Sequence, residues 1–157
     1  MTRLLGVDVG ERRIGLAIAD TETGSVKPLA TIRRADPERD ARTLANYCEE
    51  QRIDELIVGL PLKMDGGEGT QAALTREWAA SVADAIGRPI GWRDERLTSA
   101  TAESRIRPAA RASGGRPPSS AARNARRARI DREAAASIVQ SELDARRDAE
   151  SAAESDA

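Results

Sequence analysis

Two short apolar runs open the chain, Leu4 to Asp8 and Ile14 to Ala19, with Gly10 and the polar Glu11-Arg12-Arg13 between them. Gly10 suits a tight turn, so the pattern predicts a β-hairpin. Val26 to Ile32 reads as a third, weaker strand. Asp36-Pro37-Glu38 is a helix start, with Asp as N-cap and Pro in the first turn, and Ala41, Leu44, Ala45 and Cys48 follow at helical spacing. Leu56 to Leu60 is a continuous apolar strand of the kind buried on both faces. Leu74, Trp78, Val82 and Ile86 mark a second helix, closed by Gly87. Pro89 to Trp92 is a short strand, Thr98 to Ile106 a helix stopped or kinked by Pro108, and Asp131 to about Arg146 a last helix. A hairpin followed by alternating strands and helices predicts an α/β fold, a mixed sheet with helices on both faces. In such sheets the functional site lies at the carboxyl ends of strands.

What the chain lacks narrows its chemistry. It has no histidine and one cysteine, Cys48. That excludes imidazole acid–base catalysis, a Cys/His zinc site and an intrachain disulfide. Hydrolytic chemistry would fall to carboxylates, with a hard metal ion beside them. No apolar run reaches the ~20 residues that span a bilayer, and the first residues show no signal-peptide pattern. The expectation is a soluble, cytoplasmic protein without membrane contact.

Three acids stand out by position. Asp8 interrupts an apolar strand, on the same face as Gly6 and Gly10. A carboxylate there is costly unless paired or metal-bound, so it is a site candidate, a partner of Arg12 or Arg13, or a turn cap. Asp94-Glu95 follows a strand end, and position alone does not choose between the two. Asp131 falls on the apolar stripe of its helix with Ala135 and Ile138, or it caps that helix. Acids from two strand ends and one helix can converge over a sheet, a set suited to two Mg²⁺ or Mn²⁺ ions in phosphoryl transfer.

The net charge of −1 hides an uneven layout. Between Glu103 and Asp131 there is no acid and there are eight arginines, so this stretch is +8 and the remainder −9. A basic segment in an acidic protein is an electrostatic footprint for nucleic acid, or a solvated loop filled with arginine. Arg12, Arg13, Lys63, Arg96, Arg126, Arg127 and Arg129 are the candidate nucleic-acid contacts. Gly114-Gly115 and Pro117-Pro118 give the segment a loop composition, and the acidic, alanine- and serine-rich end after the last helix reads as a frayed tail.

Gly6-Val7-Asp8-Val9-Gly10-Glu11-Arg12-Arg13-Ile14-Gly15-Leu16-Ala17 resembles the opening of the YqgF/RuvX family. Three further stretches match in the family's order: Ile57-Val58-Gly59-Leu60-Pro61 with Met64-Asp65-Gly66 and Gly69; Asp94-Glu95-Arg96-Leu97-Thr98-Ser99-Ala100-Thr101-Ala102-Glu103; and Ile130-Asp131 with Ala134-Ala135 and Ile138-Val139-Gln140. The resemblance implies an RNase H-like fold and a nuclease that matures the 5′ end of precursor 16S ribosomal RNA, with similarity to Holliday-junction resolvases. It puts the family's acidic positions on Asp8, Glu95 and Asp131, as catalytic residues and metal ligands, and so favours Glu95 over Asp94. It implies nucleic acid as partner, pre-rRNA or branched DNA, and ribosomal precursor particles, with the protein a monomer or homodimer. Residues 1–146 are expected to form the domain, with a flexible arginine-rich loop over about 108–129, and 147–157 a disordered acidic tail. No functional residue is carried onto Arg105 to Arg123.

Other features stay open on the residues alone. Lys63 and the Gly66-Gly67-Glu68-Gly69 turn could cradle a phosphate or simply lead into a helix. Trp92 could stack on a base or fill the core. A non-catalytic nucleic-acid-binding module on the same fold is the competing class. Actin-like kinases also open with Gly-x-Asp-x-Gly, but they need two such domains, and 157 residues do not supply them.

Overall fold

β1 (Arg3–Val9), β2 (Arg13–Asp20), β3 (Val26–Arg33), β4 (Glu55–Leu60) and β5 (Ile90–Asp94) form a five-stranded sheet of order β3-β2-β1-β4-β5, with β1 in the middle. In this computed structural model residues 2–95 and 119–155 are described. β2 pairs antiparallel with β1, placing Asp8 opposite Gly15, and β3 pairs antiparallel with β2. β4 and β5 run parallel to β1, so the carboxyl ends of β1, β4 and β5 lie along one edge. The order bears out the hairpin and the mixed sheet.

α1 (Pro37–Glu50) begins where Asp36 accepts the Arg39 backbone N–H at 2.9 Å. α2 (Thr70–Ile86) ends on Gly87 at φ 66°, a left-handed cap that glycine adopts without strain. Both helices cover one face of the sheet, where Leu5, Val7, Ile14, Leu16, Leu56 and Val58 meet Leu44, Trp78 and Val82. Within this layer Asp40 is buried, and its carboxylate accepts from Trp78 Nε1 at 3.1 Å and the Ala35 backbone N–H at 2.9 Å. Leu74 is 46% exposed. A four-residue spacing drifts about 40° per step around a 3.6-residue helix, so the stripe shifts and Ala72, Thr75, Ala79 and Val82 take the buried side.

α3 (Ser120–Ser155) covers the opposite face, packing Ala135, Ile138, Val139 and Leu143 on Leu4, Ala17, Ala19 and Ile57. Helices therefore occupy both faces, as expected. α3 is longer than the sequence pattern indicated. The flexible loop over about 108–129 is corrected for its helical part, because helix already runs from Ser120, and the disordered tail over 147–157 is corrected because helix continues to Ser155. Alanine and arginine are strong helix formers, and over 120–129 their propensity prevails over charge repulsion. The expected helix Thr98 to Ile106, residues 108–118 and Arg96 lie outside the described residues.

Candidate functional site

Strand alternation puts Leu5 and Val7 under α1 and α2, and Gly6 and Asp8 under α3. The last two face a helix that comes unusually close. A Cβ on Gly6 would strike the Ala135 carbonyl, and one on Gly15 would overlap the Asp131 backbone. Gly15 is the cross-strand partner of Asp8. The absent side chain therefore lets Asp131 settle beside Asp8.

Glu95 follows directly on β5. Gly59, on the intervening strand β4, makes room for it: a Cβ there would lie 3.4 Å from the Glu95 carboxyl carbon and would clash with Ile138. Burial pushes the Asp8 carboxyl well above its ordinary range. A hydrogen bond to Glu95 and the negative charges of Glu95 and Asp131 push it further the same way. The three acids singled out in the sequence thus act on one another, and a group of like charges held together in this way calls for a positive counter-charge.

Part of that counter-charge is internal. Arg13 Nε donates to Asp131 Oδ2 at 2.7 Å, with the two side chains 30% and 21% exposed. Arg13 thus pairs with Asp131 and not with Asp8, and Asp131 lies within α3 rather than capping it, since the helix starts at Ser120. Among the described residues no three His, Cys, Asp or Glu side chains are already set as a metal-binding group. Asp8 and Glu95 are nonetheless adjacent hard oxygen donors at a strand edge, the chemistry Mg²⁺ or Mn²⁺ prefers.

The other sequence candidates distribute around this centre. Arg12 and Arg127 are exposed and line a cavity of about 470 Å³ together with Arg13 and Asp131. Arg126 and Arg129 are on the same helix but line neither this cavity nor its larger neighbour. The Lys63 turn is closed on itself: Lys63 N–H donates to Gly67 O at 2.9 Å, Gly66 N–H to Lys63 O at 2.8 Å, and Gly67 N–H to Asp65 Oδ1 at 2.8 Å. Those amides are not aimed at a phosphate. Trp92 packs against the core, and the Arg76 guanidinium sits 4.9 Å from its ring centroid, itself bonded to Glu68 at 2.7 Å. The core-filling reading of Trp92 fits this better than base stacking.

Some features of the site were missed from sequence. Gly15 and Gly59 were not read as spacers for the acids. Arg33 and Arg34 line the larger cavity, and the signal for them in the sequence is their position at the end of the third apolar run. At the far end of α3, Arg93 Nη2 donates to Ser141 Oγ at 2.9 Å, and Arg146 bridges Glu55 and Glu142, tying the helix to β4 and β5.

Residues 2–145 match the RuvX family, described as Holliday junction resolvase. A relative from Anaeromyxobacter sp. (strain Fw109-5), named "Putative pre-16S rRNA nuclease", is 41% identical over 144 residues, 92% of this chain and 98% of that protein. One of the same name from Chloroflexus aurantiacus is 39% identical over 144 residues, 92% of this chain and 88% of that protein. Among solved structures, RuvC of T. thermophilus in complex with Holliday junction substrate superposes with a TM-score of 0.54 at 14% identity, covering 93% of this chain and 96% of that one. That likeness places the sheet and helices in the RNase H-like fold. With a family match over nearly its whole length and relatives near 40% identity, the chain belongs to the RuvX family.

Proposed function

We propose that the chain is a nuclease that hydrolyses phosphodiester bonds in the 5′-end maturation of precursor 16S ribosomal RNA. The observation that carries this reading is the Asp8–Glu95 carboxyl pair at the strand edge with Asp131 beside it. The names of the relatives supply the RNA, and the acids supply the chemistry.

Asp8, Glu95 and Asp131 would hold Mg²⁺ or Mn²⁺. A divalent ion there lowers the pKa of bound water and neutralises charge on the phosphate and the leaving oxygen. The protein's own part is proton handling and orientation. With no histidine in the chain, the acids are the proton-exchanging groups here, and the proton that burial favours on Asp8 would be released when an ion binds there. Arg13 fixes the Asp131 carboxylate through Oδ2. Arg12, Arg126, Arg127 and Arg129 contact backbone phosphate and add salt-dependent affinity. Ribosomal precursor particles are the natural setting for such a substrate. No helix among the described residues is long and apolar enough to cross a membrane.

The family description favours a second substrate, branched DNA. One experiment addresses both: cleavage of a 5′-extended 16S leader RNA and of a four-way DNA junction, with Mg²⁺, Mn²⁺ or chelator. The expected result is metal-dependent cutting of the RNA, reduced about 100-fold or more in Asp8→Asn and in Glu95→Gln. Preferential cutting of the junction would transfer the activity to DNA. Cutting that survives both substitutions would overturn the carboxylate assignment, and binding without turnover under any metal would make the chain a non-catalytic module.

A further inference from the structure

The cavity lined by Arg12, Arg13, Arg127 and Asp131 does not end at the hairpin turn. It shares Glu11, Arg12, Arg13 and Arg127 with a larger one of about 740 Å³, whose other walls include Arg33, Arg34 and Asn124. The two form one trough. It starts beside Asp131 and runs outward between the end of β3 and the first turns of α3. Its far wall is fixed in place, since Thr31 Oγ1 donates to Ala128 O at 2.6 Å and so holds the start of the helix against β3.

The charge in this trough is not balanced from within. Arg13 and Arg33 are direct cross-strand partners, an arrangement of like charges that destabilises a sheet. Arg34 is held to the turn, its Nη1 donating to Gly10 O at 2.9 Å. Arg13 is neutralised by Asp131. The guanidinium groups of Arg12, Arg33 and Arg127 make no hydrogen bond or ion pair with any described residue, and all three are exposed. Glu11 is the remaining acid along the walls. Folding gains nothing from such a gathering, so the compensating charge has to arrive from outside. A single small anion would satisfy one guanidinium. Three unpaired ones spread along a channel that opens beside the acid group fit a chain of phosphates.

We infer that this trough is a backbone-binding groove for one phosphodiester strand, which leads from Arg33 and Asn124 past Arg12 and Arg127 to the Asp8–Glu95 pair. The inference rests on the nuclease reading above and adds to it: the substrate extends as a strand well beyond the bond that is cut, and this stretch is held by phosphate contacts without regard to base. RNA and DNA share that chemistry.

The test is fluorescence anisotropy of the full chain, in chelator to prevent cutting, with single-stranded RNA and DNA oligonucleotides of one sequence across 50–200 mM salt. The Arg33→Gln/Arg127→Gln double variant is compared with Lys27→Gln/Arg42→Gln, which removes the same charge from exposed positions away from the trough. The trough double variant is expected to bind both oligonucleotides about tenfold more weakly and to flatten the log–log salt slope by about 1.4, two contacts at ~0.7 each. The control pair is expected to leave the slope at the wild-type value. Equal behaviour of the two double variants, with wild type still binding, overturns the trough and leaves the nuclease reading standing. Weakening confined to one sugar type overturns backbone recognition in favour of 2′-hydroxyl reading. A wild-type chain that binds neither oligonucleotide brings down both readings.

Discussion

Arg13 on β2 and Asp131 on α3 are joined by a 2.7 Å hydrogen bond that closes the helix onto the hairpin right beside Asp8. The guanidinium occupies the position of a cation at the acid group. Arg13→Gln keeps a donor for Asp131 and removes the charge, so a divalent ion should then bind more tightly. For a pair this accessible the gain is modest, roughly fivefold or about 1 kcal/mol. Calorimetric titration with Mn²⁺ checks it, and unchanged or weaker affinity would mean that Arg13 does not compete for Asp131.

The raised Asp8 carboxyl makes metal-free stability depend on pH with an unusual sign. Burial and the neighbouring acids favour its protonated form in the folded state. Its contribution is therefore fully present below the ordinary aspartate range and is lost as pH rises from there through the elevated folded value. Asp8→Asn mimics the protonated form. In chelator at neutral pH it should raise Tm by about 3 °C, on the order of 1 kcal/mol, and flatten the pH profile. A lower Tm for Asp8→Asn at neutral pH would contradict the like-charge account.

Gly15 predicts a coupled loss of stability and activity. The first added methyl group has to push the Asp131 backbone off the sheet, and backbone yields less readily than a side-chain tip. Gly15→Ala should cost about 2–3 kcal/mol, a fall in Tm of roughly 5–10 °C. Gly59→Ala meets the side-chain tip of Ile138 and the Glu95 carboxyl rather than backbone. It should cost less stability than Gly15→Ala and still depress cleavage. Thermal denaturation and a cleavage assay on both variants separate the two effects.

On the other face, Asp40 is the one acceptor shared by the Trp78 indole and the start of α1. Asp40→Ala leaves the buried Trp78 indole N–H without a partner and frees the exposed Ala35 N–H to water, and should destabilise the fold by about 2 kcal/mol. Trp78→Phe added to it removes the stranded donor, so the double variant should lose less than the two single costs combined. Chemical denaturation of the four proteins in this cycle measures the coupling.

Much of this architecture is readable from the residues. Gly10, Asp36-Pro37 and Gly87 are punctuation with a local cause, and the strands and helices they bound fall where the pattern puts them. What escaped is decided by distance and register. Whether Arg12 or Arg13 takes an acid, and which acid, depends on where α3 lands on β2, and no local signal carries that. The reach of α3 was missed for another reason: proline, glycine and charge in its neighbourhood argued for loop, while the alanine and arginine of 120–129 favour helix. At the acids, spacing alone marked Asp8, and the resemblance to a family chose Glu95 and strengthened Asp131. The role of Gly59 as the gap between strands that admits Glu95 required the folded geometry.

Because α3 is, among the described residues, the one element that supplies the second covering layer and also brings Asp131, the order of synthesis has a consequence. A nascent chain that has emerged only as far as Glu95 can pair its strands and cover the face beneath α1 and α2, while Leu4, Ala17 and Ile57 still face solvent. Its third acid is still to be made. The acid group is thus completed among the last steps of assembly, and, if these acids do the cutting, an unfinished chain emerging from the ribosome would lack part of the machinery for cutting RNA.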